Sequence, residues 1–171
     1  AGFASVSQSG LTNGSKLLAS MLMIIGGSPA GTAGGIKTTT VAVLLLTAIS
    51  VLRGNKDTEC YGRKITFEII RVGITITLVT FVFWLFGVTV MTVIEPQQKV
   101  LDLMFEATSA MATVGLTADL TPVLSDISHV VLMLMMYIGR IGPMTMALIF
   151  SGHVDKKNQF RTLPEAKIMV G

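Results

Sequence analysis

Residues 26–35 read GGSPAGTAGG and lie in the middle of an apolar run, residues 17–52, whose only charged residue is Lys37. As one helix, this run of 36 residues would reach about 54 Å, well beyond the roughly 30 Å of a bilayer core. Five glycines and a proline in ten residues disfavour a helix, so the run is predicted to form helix, irregular loop and helix. Irregular backbone at membrane depth is stable only where it is buried in protein or lines a water-filled cavity.

The composition of the 171-residue chain is that of a membrane protein. Hydrophobic residues make up 51% of the chain and charged residues 13%, with a mean hydropathy of +0.70, whereas soluble domains carry about 25% charged residues. This excludes a soluble enzyme. The net charge of +3 comes from scattered groups, so nucleic acid is not an expected partner, whereas membrane lipids are. The lone Cys60 excludes an intrachain disulfide and a cysteine-rich zinc site.

Two further runs are long enough to cross a bilayer. Residues 72–94 carry no charge, and residues 127–151 are apolar apart from His129 near the start and Arg140 near the middle. Between them, residues 100–112 are predicted to form a helix too short to span, followed by a glycine-containing turn at residues 113–117. The sequence therefore predicts an all-α integral membrane fold with a pore-loop architecture, in which a span, a re-entrant helix with a filter and a second span follow one another.

The basic residues indicate the orientation of these spans. Nine lysines and arginines lie in residues 53–71 and 152–171, against Lys16 and Lys99 on the opposite side. Because cytoplasmic loops carry the excess of basic residues, the linker 53–71 and the tail 152–171 are predicted to be cytoplasmic. Three aspartates of the other side, Asp102, Asp119 and Asp126, are expected to be ordinary extracellular charges.

Four segments carry a resemblance to a known family. They are residues 25–38 (IGGSPAGTAGGIKT), 105–116 (FEATSA followed by TVGL at 113–116), 137–143 (YIGRIGP) and 163–168 (LPEAKI). In this order they resemble the third-repeat loop, fourth pore helix and filter, last span and C-terminal end of the Trk/Ktr/HKT potassium transporter superfamily. The likeness is closest to the membrane subunit of bacterial Ktr (NtpJ-like) systems.

The resemblance implies a multi-pass protein of the cell membrane that takes up potassium, often with the assistance of sodium, and that needs no covalent cofactor and performs no catalysis. It implies a homodimer on a cytoplasmic ring of nucleotide-binding regulatory subunits of the RCK type. The chain is expected to be a C-terminal fragment. Residues 1–52 would be the end of a third repeat, with a filter remnant at 1–3, and residues 72–151 would be the fourth repeat.

The candidate filter follows from the same resemblance. Gly2 and Gly115 would be the central glycines of two filters whose backbone carbonyls bind potassium. A glycine suits this role because it adopts positive φ without strain. The neighbouring filter residues would be Thr113, Val114 and Leu116. A plain turn between a short helix and a loop is the alternative reading of the segment around Gly115.

The candidate gate combines the glycine-rich loop with two intramembrane cations. It comprises Gly26, Gly27, Gly31, Gly34, Gly35, Lys37 and Arg140. Arg140 lies some 13 residues inside the last predicted span, where a charge costs about 2.5–3.5 kcal/mol or more unless it faces a polar cavity or a partner. The resemblance implies that it faces the ion path below the filter. Lys37 either belongs to the gate or extends its ammonium to the cytoplasmic surface.

Three questions remain open at the level of sequence. Glu106, on the short helix, either attracts cations or holds the filter by hydrogen bonds. Residues 31–38 share parts of a phosphate-binding P-loop, but Lys37 follows Ile36 instead of glycine and an apolar helix instead of a strand precedes the loop. A secondary transporter with a helix broken at the midplane is the other rival, although the short helix with Gly115 favours a pore loop.

Overall fold

The computed structural model describes residues 2–29, 31, 33–55 and 57–142, and most of that part of the chain is helical. Its α helices are α1 (Asn13–Ile24), α2 (Thr38–Leu52), α3 (Phe67–Ile94), α4 (Val100–Met111) and α5 (Asp126–Ile141). Two short 3-10 helices lie at Gln8–Gly10 and Thr121–Val123, and a hairpin pairs β1 (Glu59–Cys60) with β2 (Arg63–Lys64). The described part of the chain is thus predominantly α-helical, as the sequence predicts.

The predicted break in the first apolar run separates α1 from α2. The two ends of the connection between these helices lie side by side, because Ile25 and Ile36 form a parallel bridge. Gly26 N–H donates to the Ile36 carbonyl at 2.7 Å, and Ile36 N–H donates to the Ile24 carbonyl at 3.1 Å. The two ends of the intramembrane loop, residues 25–37, are therefore held together by backbone hydrogen bonds.

In the described part of the chain, α3 is the one helix that is both long and apolar enough to cross a membrane. It has 28 residues and begins at Phe67, five residues before the predicted span and inside the predicted linker. The charged residues Glu68 and Arg71 do not interrupt it, because side chains at a helix end can reach water, and Glu68 in the first turn also suits the helix dipole.

The shortened linker contains the hairpin, which the sequence analysis did not predict. Tyr61 and Gly62 at its tip both have positive φ, 49° and 73°, as a two-residue turn between right-twisted strands requires. Ser50 Oγ in the last turn of α2 donates to the Asp57 carbonyl at 2.7 Å, which ties the hairpin to that helix.

The last predicted span, residues 127–151, differs from the structure. Helix α5 ends at Ile141, and Gly142 has φ 85° and ψ 140°, a conformation that only glycine adopts readily. Arg140 therefore lies in the last turn of the described helix and not in the middle of one. The remainder of that span and the whole predicted tail, residues 152–171, lie outside the described residues.

The short helix α4 is the centre of the packing. Eight of its 12 residues are buried, and it packs against α1, α3 and α5. Leu103 and Phe105 are fully buried on different sides of it, in two separate apolar clusters. This short helix is therefore surrounded by other helices of the chain.

A buried ion pair fixes the start of α4 to α1. Lys16 Nζ lies 2.7 Å from Asp102 Oδ1, and the two side chains are 8% and 20% exposed. Asp102, expected to be an ordinary extracellular charge, is therefore held in an ion pair. The sequence gives no sign of the pairing, because 86 residues separate the partners.

We expect either single substitution, Lys16→Met or Asp102→Leu, to lower the free energy of unfolding by about 3 kcal/mol, because each leaves an unpaired charge in a largely buried place. The double variant Lys16→Met/Asp102→Leu should recover a large part of this loss. Thermal unfolding of the full-length subunit in detergent measures all three variants. Losses that simply add in the double variant would show that the pair is not coupled.

Candidate functional site

The two predicted filter glycines lie against each other. Gly2 has φ 68° and Gly115 has φ 86°, and a Cβ atom added to Gly2 would come within 2.4 Å of the Gly115 carbonyl oxygen. Thr113, a non-glycine residue, also has positive φ, at 54°. Thr113 and Val114 end α4 with an ordinary left-handed cap, since Thr113 N–H donates to the Ala110 carbonyl at 3.0 Å and Val114 N–H donates to the Ser109 carbonyl at 2.9 Å. The contact with Gly2 is what this turn has in addition.

The intramembrane loop packs directly against the start of this segment. Gly34 N–H donates to Thr113 Oγ1 at 2.8 Å. A Cβ atom at Gly34 would lie 2.7 Å from that same oxygen and 3.0 Å from the Ala112 carbonyl oxygen. A side chain at position 34 would therefore displace the loop from the predicted filter.

Glycines also close the loop on itself. A Cβ atom at Gly26 would come within 2.1 Å of the Gly34 carbonyl oxygen. Lys37 Nζ donates to the Ala33 carbonyl and reaches the Gly31 carbonyl at 3.5 Å. The ammonium group of Lys37 therefore lies against the carbonyls of the loop. Its carbonyl partners could not be named from the sequence.

Arg140 lies where the loop and the predicted filter meet. It lines two cavities of about 790 Å³ and 710 Å³, and Thr113 lines both of them as well. Gly115 lines the first cavity, and the loop residues Gly26 and Gly27 line the second. The structure thus brings most of the residues singled out in the sequence to one place.

Gly139, beside Arg140, is a positioning residue that the sequence analysis did not single out. A Cβ atom there would come within 1.9 Å of the Met111 carbonyl oxygen. The backbone of α5 therefore touches the C-terminal end of α4, and this contact sets the place of Arg140. The only signal in the sequence was its position inside the YIGRIGP motif.

Glu106 is 4% exposed and holds the segment that follows the predicted filter. Its carboxylate accepts hydrogen bonds from Ala118 N–H at 3.0 Å, from Thr121 Oγ1 at 2.9 Å and from Thr117 Oγ1. Of the two roles considered for Glu106, the geometry supports the hydrogen-bonding one. The carboxylate is satisfied by three donors, and the residue also lines the first cavity with Gly115 and Arg140.

Asp119 links the segment after Gly115 to the segment after Gly2. Ser7 Oγ donates to its carboxylate, and Ser9 Oγ donates at 2.7 Å. The bonds from Ser7 and then Ser9 lower the pKa of Asp119 below its ordinary value of 3.8. The carboxylate therefore stays charged near neutral pH, and the stability that these bonds contribute is lost only as the pH falls through the lowered pKa.

Comparison with known proteins assigns the family. The family model TrkH, described as a cation transport protein, matches residues 1–161. This chain belongs to that family. It is 35% identical over its whole length to the Ktr system potassium uptake protein B of Bacillus subtilis, and covers 38% of that protein.

Two further relatives agree with the assignment. The chain is 34% identical to the potassium/sodium uptake protein NtpJ of Enterococcus hirae, with all of the chain and 39% of that protein covered. It is 31% identical to the Ktr system potassium uptake protein D of Bacillus subtilis, with 99% of the chain and 37% of that protein covered.

These matches confirm the resemblance seen in the sequence and the choice of a transporter family over a nucleotide-hydrolysing enzyme. The chain spans less than two fifths of the length of the relatives it matches. The membrane subunit of a Trk/Ktr-type system is thus represented here in part.

Replacing Glu106 by alanine should lower the free energy of unfolding by about 1–3 kcal/mol, since buried donors lose their acceptor. Glu106→Gln should lose less, because the amide oxygen still accepts. Asp126→Asn, a loss of charge at an exposed position in the first turn of α5, is the matched control and should stay within about 0.5 kcal/mol of the parent. Thermal unfolding compares the stability of the three variants with that of the parent. A Glu106→Ala variant as stable as the control would contradict the structural role of Glu106.

Proposed function

We propose that the full-length subunit carrying this chain moves potassium across the cell membrane, and that Gly2 and Gly115 belong to two of its filter segments. The observation that carries the proposal is their contact. Two glycines 113 positions apart in the sequence, both with positive φ, meet at the edge of the cavity that Arg140 lines. The names of the relatives, potassium uptake and potassium/sodium uptake proteins, agree with it.

The proposed filter works through backbone carbonyls. A dehydrated cation needs several oxygen ligands at once, and backbone carbonyls supply them without a fixed charge that would hold the ion too tightly. Thr113, Val114, Gly115 and Leu116 would provide such ligands in the fourth repeat, and the segment around Gly2 would provide them in the third. Glu106 then holds in place the segment that follows the filter, through its hydrogen bonds to residues 117–121. Sodium assistance belongs to this proposal as well.

The intramembrane loop, with Arg140, is the proposed gate. The loop is tied to the filter by the Gly34–Thr113 hydrogen bond and closed on itself by Lys37. The guanidinium of Arg140 borders the same space, and a fixed positive charge there raises the barrier for a cation. Opening would require the loop to move away from Thr113, a motion that its small residues permit.

The regulatory partners are part of the proposal. The name "Ktr system" points to more than one component in the relatives. By the resemblance, a second membrane subunit and a cytoplasmic ring of nucleotide-binding subunits would complete the assembly. The linker between α2 and α3, with its hairpin and basic residues, is on the proposed cytoplasmic side and offers one surface for that ring.

We expect Gly115→Ser to weaken the preference for potassium over sodium, because a Cβ atom at φ 86° strains the backbone and moves the carbonyls. Gly54→Ser is the matched control, since Gly54 also has positive φ, at 70°, but has open space around it. Competition uptake of rubidium and sodium into proteoliposomes measures the preference. An unchanged preference in Gly115→Ser would remove Gly115 from the filter.

Deleting residues 30–34 should raise the potassium flux about tenfold or more, which corresponds to about 1.4 kcal/mol off the barrier. The reason is that the deletion removes the loop's contact with Thr113. Arg140→Ala should also raise the flux, and the two changes together should have less than the combined effect, since both act on one obstruction. A deletion variant that folds and dimerises but conducts no faster than the parent would place the gate elsewhere.

A further inference from the structure

A third cavity, of about 250 Å³, lies behind the intramembrane loop, between α3 and the C-terminal end of α4. Residues 77–84 of α3 contribute the outer wall. Ile36 of the loop, with Met111 and Ala112 at the end of α4, contributes the inner wall, and all three are buried. None of the residues proposed for the filter is among those that line this cavity.

The walls of this cavity offer nothing to a polar ligand. The hydroxyls of Thr77 and Thr80 each donate to the backbone carbonyl four residues earlier in α3, at 2.9 and 2.8 Å. Trp84 Nε1 donates to Thr108 Oγ1 at 2.9 Å, and that hydroxyl donates in turn to the Met104 carbonyl. A bound water needs two to four polar partners, and an apolar cavity of about 150 Å³ stays dry and takes apolar molecules. A cavity lined in this way accepts a hydrocarbon better than water.

The depth of the cavity identifies the source of that hydrocarbon. Residues 77–84 are the middle of α3 (Phe67–Ile94), so they lie near the midplane of any bilayer that α3 crosses. Leu78 and Phe81 line the cavity and are still 58% and 52% exposed, so the cavity reaches the outer surface of α3. Only lipid tails are found at this depth outside a protein. We propose that the cavity binds the acyl chain of a membrane phospholipid.

The bound chain would touch the loop from the side opposite to the ion path. Gly35 and Ile36 line this cavity, whereas Gly26, Gly27 and Ala33 line the one that contains Arg140. One short segment of backbone, itself part of the proposed gate, thus separates a lipid tail from the cavity that Arg140 lines. The acyl chain fills the space into which the loop would otherwise relax, and so supports its packing against the end of α4. The site itself depends on α3 crossing the bilayer and not on the gating proposal.

Photolabelling of the full-length subunit tests this site. The protein is reconstituted with a phosphatidylcholine that carries a diazirine near the end of one acyl chain, irradiated and mapped by peptide mass spectrometry. Lipids around the protein label outward residues such as Val82 and Leu85, which are exposed on α3. Labelling of the buried Ile36 and Met111 occurs only if a chain enters the cavity, and this labelling is the expected result.

Two variants of α3 provide the comparison. Thr77→Phe places a ring in the cavity and should abolish the labelling of Ile36 and Met111. Thr89→Phe is the matched control, because Thr89 makes the same hydroxyl-to-carbonyl bond in the same helix but is exposed and does not line the cavity. It should label as the parent does. If Thr77→Phe fails to fold, Leu78→Trp at the exposed edge replaces it.

The inference is overturned by either of two results. One is label on the outward residues of α3 with none on Ile36 or Met111 in the parent protein, as would follow if another part of the full-length subunit filled the cavity. The other is label on Ile36 and Met111 that Thr77→Phe and Leu78→Trp leave unchanged. Neither result depends on ion flux, so the lipid site and the proposed gate succeed or fail separately.

Discussion

The hydrogen bond from Gly34 N–H to Thr113 Oγ1 is the contact on which the arrangement of the site depends. It joins a loop that interrupts one apolar run to the backbone that follows α4, and it forms only because position 34 has no side chain. The same condition holds where Gly139 meets the Met111 carbonyl. Close approach of a glycine backbone at these two points, to the Thr113 hydroxyl and to the Met111 carbonyl, brings the loop, the proposed filter and Arg140 together.

Such close approach requires that the polar groups involved be satisfied inside the protein, because a buried polar group without a partner costs free energy. The described residues meet this requirement with local partners. Lys37 donates to carbonyls of the loop, and Lys16 pairs with Asp102. Glu106 accepts three hydrogen bonds from the segment that follows the proposed filter. In the described residues no buried side-chain nitrogen or oxygen is left without a hydrogen bond. The charged side chains named here thus stabilise the fold through local contacts.

Sequence patterns predicted the local features well and the boundaries less well. The glycine-rich stretch predicted the break between α1 and α2, and an apolar stretch too short to span predicted α4. The start of α3 and the end of α5 differed, because a helix end depends on whether a terminal charge can reach water and on a single left-handed residue, Gly142. The hairpin was missed since four strand residues leave almost no periodic signal.

The sequence by itself determined the class of the protein, the helix–loop–helix break and the glycines that a filter would need, because composition, run length and glycine content are local properties. Only the tertiary structure decided which residues meet: Gly2 with Gly115, Lys16 with Asp102, and Ser7 with Asp119. These partners are separated by 86 to 113 positions, and the sequence around one residue of a pair does not indicate the other. Their pairing depends on which segments pack around α4 and the turn after it, and this packing exists only in the folded chain.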